Sequence, residues 1–100
     1  MILYEVSIKV DMDVLEPYMD WLEDHVQQIL KIDGFSKAEV WCDKDKNNEI
    51  ICHYHLETEK HLEDYINNHA PSLRSDGMKK FEGKFVINRR TARLISRWSR

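Results

Sequence analysis

Glycine, proline and cysteine are scarce in this chain of 100 residues: three, two and two. So few turn-formers exclude a collagen-like or linker-rich polypeptide, and neither a low-complexity run nor an internal repeat is visible. Two cysteines without a C-x-x-C pair exclude a disulfide scaffold and a thioredoxin-type motif. No apolar run approaches the ~20 residues that cross a bilayer. The opening MILYEVSIKV lacks a basic n-region, a long apolar stretch and a cleavage site, so it predicts a strand and not a leader. A cytoplasmic protein with free thiols and no membrane partner is the resulting expectation. Also missing are the phosphate loop G-x-x-x-x-G-K-[ST], the turn G-x-G-x-x-G and the helix H-E-x-x-H. Nucleotide hydrolysis, dinucleotide binding and zincin chemistry therefore have no support, and no cofactor is expected.

Acid is absent from the end of the chain. Arg89, Arg90, Arg93, Arg97 and Arg100 lie in its last twelve residues, whereas the first 88 carry all 18 acidic groups against ten basic ones. A basic end on an acidic body suits docking on an acidic surface, its own or a partner's. Nucleic acid is not the expected partner, because its binders usually spread positive charge over a whole face.

What is present reads as one domain over residues 1–100, with a basic tail from about residue 92. Ile2, Tyr4, Val6, Ile8 and Val10 alternate with polar residues, as in a half-buried strand. Asp13 and Glu16 have capping-box spacing, and Pro17 falls in a first helical turn. Val14, Tyr18, Trp21, Leu22, His25, Val26 and Ile29 then form one helical stripe, which Asp33-Gly34 is expected to end. Ser36–Cys42 and Ile50–Glu57 predict a hairpin around the polar loop DKDKNNE. Thr58 is placed to cap a second helix with the stripe Leu62, Tyr65, Ile66 and His69. Pro71 interrupts it, and a short helical piece carries Leu73, Met78 and Phe81. Gly83 releases a last strand from Lys84 to about Thr91. The order β-α-β-β-α-β predicts an α+β, ferredoxin-like fold: a four-stranded antiparallel sheet with helices on one face.

Strand parity sorts the sheet side chains into two sets. Ile2, Tyr4, Val6, Ile8, Ala38, Val40, Cys42, Ile50, Cys52, Tyr54, Leu56, Phe85 and Ile87 are expected under the helices. The opposite set mixes Leu3, Phe35, Trp41, Ile51 and Val86 with Glu5, Glu39, His53, His55 and Arg90. Aromatic anchors beside arginine and polar pairs characterise subunit interfaces. Sheet-to-sheet homodimerisation is therefore expected, with Leu3, Phe35, Trp41, His53, His55 and Arg90 on the dimer face.

For chemistry, His25 lies on the buried stripe of the first helix, where an imidazole can either shuttle protons or be a satisfied core residue. Tyr4 and Tyr54, on the helix-facing side, are candidates to share a helix–sheet pocket with it, which suits an aromatic or hydrophobic ligand. His69 and Arg74 bracket the turn at Pro71. Arg74 suits an anionic group on a ligand or a neighbouring carboxylate. His53 and His55 face the same way near Glu5 and Glu39, but a third ligand at metal-site spacing is missing, so no metal is expected. Cys42 and Cys52 have matching parity across the hairpin and read as small buried hydrophobes.

From His69 the run HAPSLRSDGMKKFEGKFVINRR resembles the C-terminal signature of a bacterial family known only as a domain of unknown function. The most specific part is HAP-x-LR-x-x-G (His69, Ala70, Pro71, Leu73, Arg74, Gly77). ILYEVSIKVD and WLEDHVQQIL…GF resemble the same family's N-terminal half. The resemblance implies the dimeric α+β barrel superfamily, in which two ferredoxin-like subunits pair their sheets. That superfamily includes antibiotic-biosynthesis monooxygenases, haem-degrading enzymes and uncharacterised stress-related proteins. It implies monooxygenase-like or isomerase-like chemistry on a small ligand; in the reading of the residues themselves, His25 is then the expected proton acceptor, with the tyrosines orienting the ligand. The other reading is a non-enzymatic interaction module that uses its arginine tail.

Overall fold

Strand β1 (Ile2–Val10) lies inside the sheet, hydrogen-bonded on both sides. Its alternation is expressed directly in burial: Ile2, Tyr4, Val6, Ile8 and Val10 are buried, and the residues between them are not. Fully burying an aliphatic side chain of this kind contributes roughly 1.5–3 kcal/mol, so this one row is a large share of the core. The computed structural model describes residues 1–100. A 3-10 turn (Met12–Val14) leads into α1 (Leu15–Ile29), followed by β2 (Phe35–Cys42), β3 (Glu49–Leu56), α2 (Glu59–Asn68), α3 (Ala70–Lys80) and β4 (Phe85–Arg93). The sheet order is β2-β3-β1-β4, with every pairing antiparallel. This is the βαββαβ topology, its second helix divided in two at His69.

The helices lie on one face because their apolar stripes do. Tyr18, Leu22 and Ile29 of α1, Leu62 and Tyr65 of α2, and Ala70 of α3 meet the inward rows of β1 and β3 in a single core, which Phe81 closes beyond α3. Thr58 caps α2, its hydroxyl accepting from the His61 N–H at 3.2 Å. Pro71 stands in the first turn of α3, where its missing N–H leaves no bond unmade. The last helical piece is longer than its apolar spacing suggests, because only its inward side is small or apolar.

Local competition alters several expectations. Asp13 does not build a capping box. It sits in the 3-10 turn, and its carboxylate accepts from Lys84 Nζ at 2.8 Å, an ion pair that holds the Asp13 carboxyl below its ordinary pKa. Helix α1 ends at Ile29, before Gly34. Gly34 has φ +94° and serves the turn into β2. A register shift between Phe35 and Lys37 reverses parity at the start of β2, so Phe35 does not belong to the open face. It lies opposite Leu56 and packs on the core, its ring 5.1 Å from Tyr65 and 6.1 Å from Tyr54. Because β2 is an edge strand, Val40 and Cys42 are exposed. Cys42 pairs with Ile50 and lies diagonal to buried Cys52, and both thiols are free. Ile66 also turns outward. Strand β4 runs on to Arg93, so the irregular tail begins at Leu94, whose N–H donates to the Met1 carbonyl at 3.0 Å. No helix is long and apolar enough to cross a membrane.

Gly34 is buried, and a Cβ there would stand within 2.3–2.5 Å of the His61 ring, on a backbone that L side chains rarely adopt. Gly34→Ala is expected to lower unfolding stability by about 1–3 kcal/mol, measured by urea denaturation. Combining it with His61→Ala should recover only part of the steric loss, because the Cβ at position 61 would still lie 2.5 Å away, and should leave the part due to φ.

Candidate functional site

The seam between α1, α3 and the sheet encloses a cavity of about 50 Å³. Tyr4, Val6 and Ile8 of β1 form its floor with Cys52 and Tyr54 of β3. Trp21, His25 and Ile29 come from α1, and Arg74 and Gly77 from α3. Helical geometry explains the last two. Ala70, Arg74 and Gly77 are spaced four and three residues apart, so one side of α3 presents all of them to the sheet. Ala70 and Gly77 are buried, and Arg74 is half-buried between them.

Arg74 Nη2 donates to the Tyr4 hydroxyl at 2.7 Å, which joins α3 to the central strand across the cavity. Tyr4 also stacks obliquely with Tyr54 at 5.9 Å and meets Tyr65 edge-on at 5.8 Å. Burial pushes the Tyr65 hydroxyl up to about 12 and raises that of Tyr54 further, so both stay neutral phenols at all ordinary pH. Burial likewise pushes the Cys52 thiol up to about 11, which removes it from thiolate chemistry.

His25 stacks on Trp21, ring centroids 4.6 Å apart. Burial, then the positive charges of Arg74 and Arg89, lower its pKa from 6.5 to about 4. The ring is therefore neutral near pH 7 and a weaker base than a free imidazole. Trp21 is fixed in turn from the other side. Its Nε1 donates to Asp76 Oδ2 at 2.7 Å, and Asp76 also pairs with Lys80 at 3.4 Å. Those bonds hold the Asp76 carboxyl below its usual range. The indole rests on Gly77, where a Cβ would come within 2.5 Å of Cη2. Glycine at position 77 thus lets Trp21 close the α1–α3 seam.

Of the residues expected to meet a ligand, Tyr4, His25, Tyr54 and Arg74 converge on this cavity. His69 does not. It joins α2 to α3 at the surface, its Nε2 3.5 Å from Asp64 Oδ2, because the helix break directs it away from the sheet. Arg89 is the wall residue that reading the tail as one basic block conceals. It shares helix-facing parity with Phe85 and Ile87, and counting that row two residues further finds it.

The opposite sheet face carries a ladder of hydrogen-bonded polar pairs. Glu5 on β1 meets His53 of β3 at 2.9 Å with one oxygen, and accepts from Arg90 of β4 at 3.0 Å with the other. His55 and Glu39 share a hydrogen bond of 2.9 Å, which depresses the Glu39 carboxyl. Each imidazole thus has its own carboxylate. Leu3, His53 and His55 are half-buried there, whereas Trp41 is 56% and Val86 64% exposed.

Comparison with known proteins agrees with this fold. A family model described as a domain of unknown function (DUF4286) matches residues 1–95. SnoaB, a cofactor-independent oxygenase from Streptomyces nogalater, superposes with a TM-score of 0.76 at 7% identity, covering 98% of this chain and 94% of that one. A candidate antibiotic biosynthesis monooxygenase from Nitrosomonas europaea gives 0.77 at 11% identity, with 96% and 100% covered. Rv0793 from Mycobacterium tuberculosis gives 0.70 at 9%, with 99% and 100% covered. Likeness at such identities concerns the fold alone. Among curated proteins, none matches the sequence.

Two expectations follow from the site. Gly77→Ala should displace the indole from α3, shift the Trp21 Nε1–H resonance and lower stability by about 1–3 kcal/mol in urea. His25 binds fewer protons folded than unfolded between its folded value of about 4 and its ordinary 6.5. Its contribution to stability is therefore intact above pH 6.5 and is lost as pH falls through that window. Urea unfolding at pH 7 and pH 4.5 should show a larger acid loss for the wild type than for His25→Gln.

Proposed function

Because the chain belongs to the DUF4286 family, whose description assigns no activity, we propose a function from the site: the protein binds a small, largely apolar or aromatic molecule between its helices and its sheet. The observation that carries this reading is the convergence of a neutral imidazole, tyrosine hydroxyls and a guanidinium on one apolar cavity. Binding sites of this kind combine an apolar lining with a few convergent polar groups. A neutral His25 beside a phenolic O–H or an acidified C–H can accept its proton, the step that monooxygenase-like and isomerase-like reactions on such ligands share. The fold shared with SnoaB and the antibiotic-biosynthesis monooxygenase proteins is consistent with such chemistry and does not assign it. The volume sets a condition. A dry apolar cavity that admits benzene measures about 150 Å³, three times the space here, so an aromatic ligand enters only with movement of the wall. Met78 and Arg89 are the exposed residues of that wall.

The reading extends to a homodimer joined through the open sheet face. Leu3, Trp41, Ile51 and Val86 are apolar there, and the Glu5–His53–Arg90 and Glu39–His55 groups are already paired, as polar groups must be before burial. Free thiols, one of them exposed, suit a reducing, cytoplasmic setting.

One observation favours a second, non-enzymatic reading. The tail leaves Ile95 94% and Trp98 88% exposed beside Arg97 and Arg100, a composition suited to contact with an acidic protein surface. Deleting residues 94–100 should abolish any partner captured by the full chain if this reading is right, and change nothing if it is wrong.

Native mass spectrometry on gently purified protein tests the main reading. The expected species is a dimer carrying a reproducible small-molecule mass that His25→Ala loses. A dimer without added mass, even after exposure to a library of small phenols, would count against ligand binding, and a monomer would remove the sheet-face argument. Trp41→Glu is expected to raise the dimer dissociation constant at least tenfold, read by sedimentation equilibrium, given that central aromatic anchors typically contribute about 2 kcal/mol or more.

A further inference from the structure

Two arginines line the cavity, and neither has an acid. Arg74 comes from α3 and Arg89 from β4, on the other side of the seam. The lysines and arginines that do make ion pairs lie elsewhere: Lys37, Lys46, Lys80, Lys84 and Arg90. Arg74 turns its side-chain hydrogen bonding to neutral phenols, and Arg89 makes no side-chain hydrogen bond. No aspartate or glutamate is among the lining residues. Asp76, the acid nearest the seam, is already engaged by Trp21 and Lys80 on its outer side. This is not a shortage of acid, since 18 acidic residues face 15 basic ones in the chain.

The two charges act on the same atoms. Both lower the proton affinity of His25, and both act on the Tyr65 hydroxyl. Half-buried Arg74 loses part of its hydration without gaining a counter-charge, a cost that an arriving anion offsets, while exposed Arg89 adds its positive charge from the mouth of the cavity. A guanidinium presents a planar fork matched to a carboxylate, and charge-assisted bonds of this kind are about twice as strong as neutral ones. Apart from the neutral His25 imidazole, the remaining wall is apolar or phenolic. It offers one compact anionic group a place without the further donors a phosphate dianion requires.

Resting on the pocket reading above, we infer that the ligand is a small carboxylic acid bound as its anion, with Arg74 and Arg89 supplying the counter-charge and Trp21, Phe85 and the tyrosines facing its body. The arriving negative charge also opposes the two arginines at His25, which makes that ring a stronger base with ligand present than without it.

Paired probes of equal shape separate charge from fit. Acetate and acetamide, benzoate and benzamide, and inorganic phosphate are titrated at constant ionic strength into the full chain, following the Trp21 Nε1–H and His25 ring resonances. Acetate and benzoate are expected to bind about tenfold or more tightly than their amides, as loss of a charged hydrogen-bond pair implies. Arg89→Gln should erase that preference. Arg89→Lys, which keeps the charge at an exposed position, should retain most of it and shows that the loss is not one of folding. Equal binding of acids and amides, or an unchanged preference in Arg89→Gln, overturns the carboxylate assignment and leaves the pocket reading standing. Phosphate binding tighter than either acid overturns the choice of carboxylate. If none of the five probes moves either resonance, the pocket reading falls with it.

Discussion

A phenol buried in an apolar core must find a hydrogen-bond partner, and much of this site follows from how Tyr4 does so. The residue is 3% exposed on a strand paired on both sides, so neither water nor a free sheet edge is at hand. Its partner is the Arg74 guanidinium, brought over the sheet by α3. That solution leaves no buried polar side-chain atom unpaired, and it places a positive charge inside the helix–sheet seam. The charge, together with burial, keeps His25 neutral. Small residues at 70 and 77 then let the helix approach closely enough for the bond to form. One satisfied hydroxyl thereby fixes the helix position, the electrostatic sign of the cavity and the protonation of its imidazole.

The two faces of the sheet solve opposite electrostatic problems. On the open face the acids at the centre have complements: Glu5 bridges β3 and β1 through His53, and β1 and β4 through Arg90. On the helix face the cationic groups lack one. The same strand thus carries the paired Glu5 and, one residue along, Tyr4, which meets Arg74 on the other face. Strand periodicity of two makes such a division possible without any change of fold.

Much of the architecture was legible because periodicity is strong where burial is two-sided. β1, β3 and the stripe of α1 are read correctly from their alternation, and Tyr4, His25, Tyr54 and Arg74 meet as their parity and helical phase require. Legibility failed where a tertiary partner outbid a local signal. Asp13 has capping-box spacing, but Lys84, 71 positions away, takes its carboxylate. A one-residue irregularity at Phe35 moved that ring from the open face to the core, and a bulge leaves no mark that composition alone reveals. Position in the chain misled as well. Arg89 falls within the last strand as its alternation predicts, but grouping it by charge with the arginines of the chain's end hides the helix-facing parity that carries its side chain to the cavity wall. His69 was drawn toward the site by its place in the HAP-x-LR-x-x-G run, whereas that run contributes Arg74 and Gly77 and uses His69 as a joint between helices.

The spacing of Ala70, Arg74 and Gly77 bears on how this protein can change over time. Each added residue turns an α-helix by about 100°, so one insertion between Pro71 and Arg74 would swing the guanidinium off the sheet while leaving composition almost untouched. Substitutions at outward positions such as Ser72 and Lys79 meet no such barrier, since both are exposed. The length of α3 is therefore constrained more tightly than most of its letters. Descendants of this chain should drift freely on the outer side of that helix and tolerate gaps only beyond its ends.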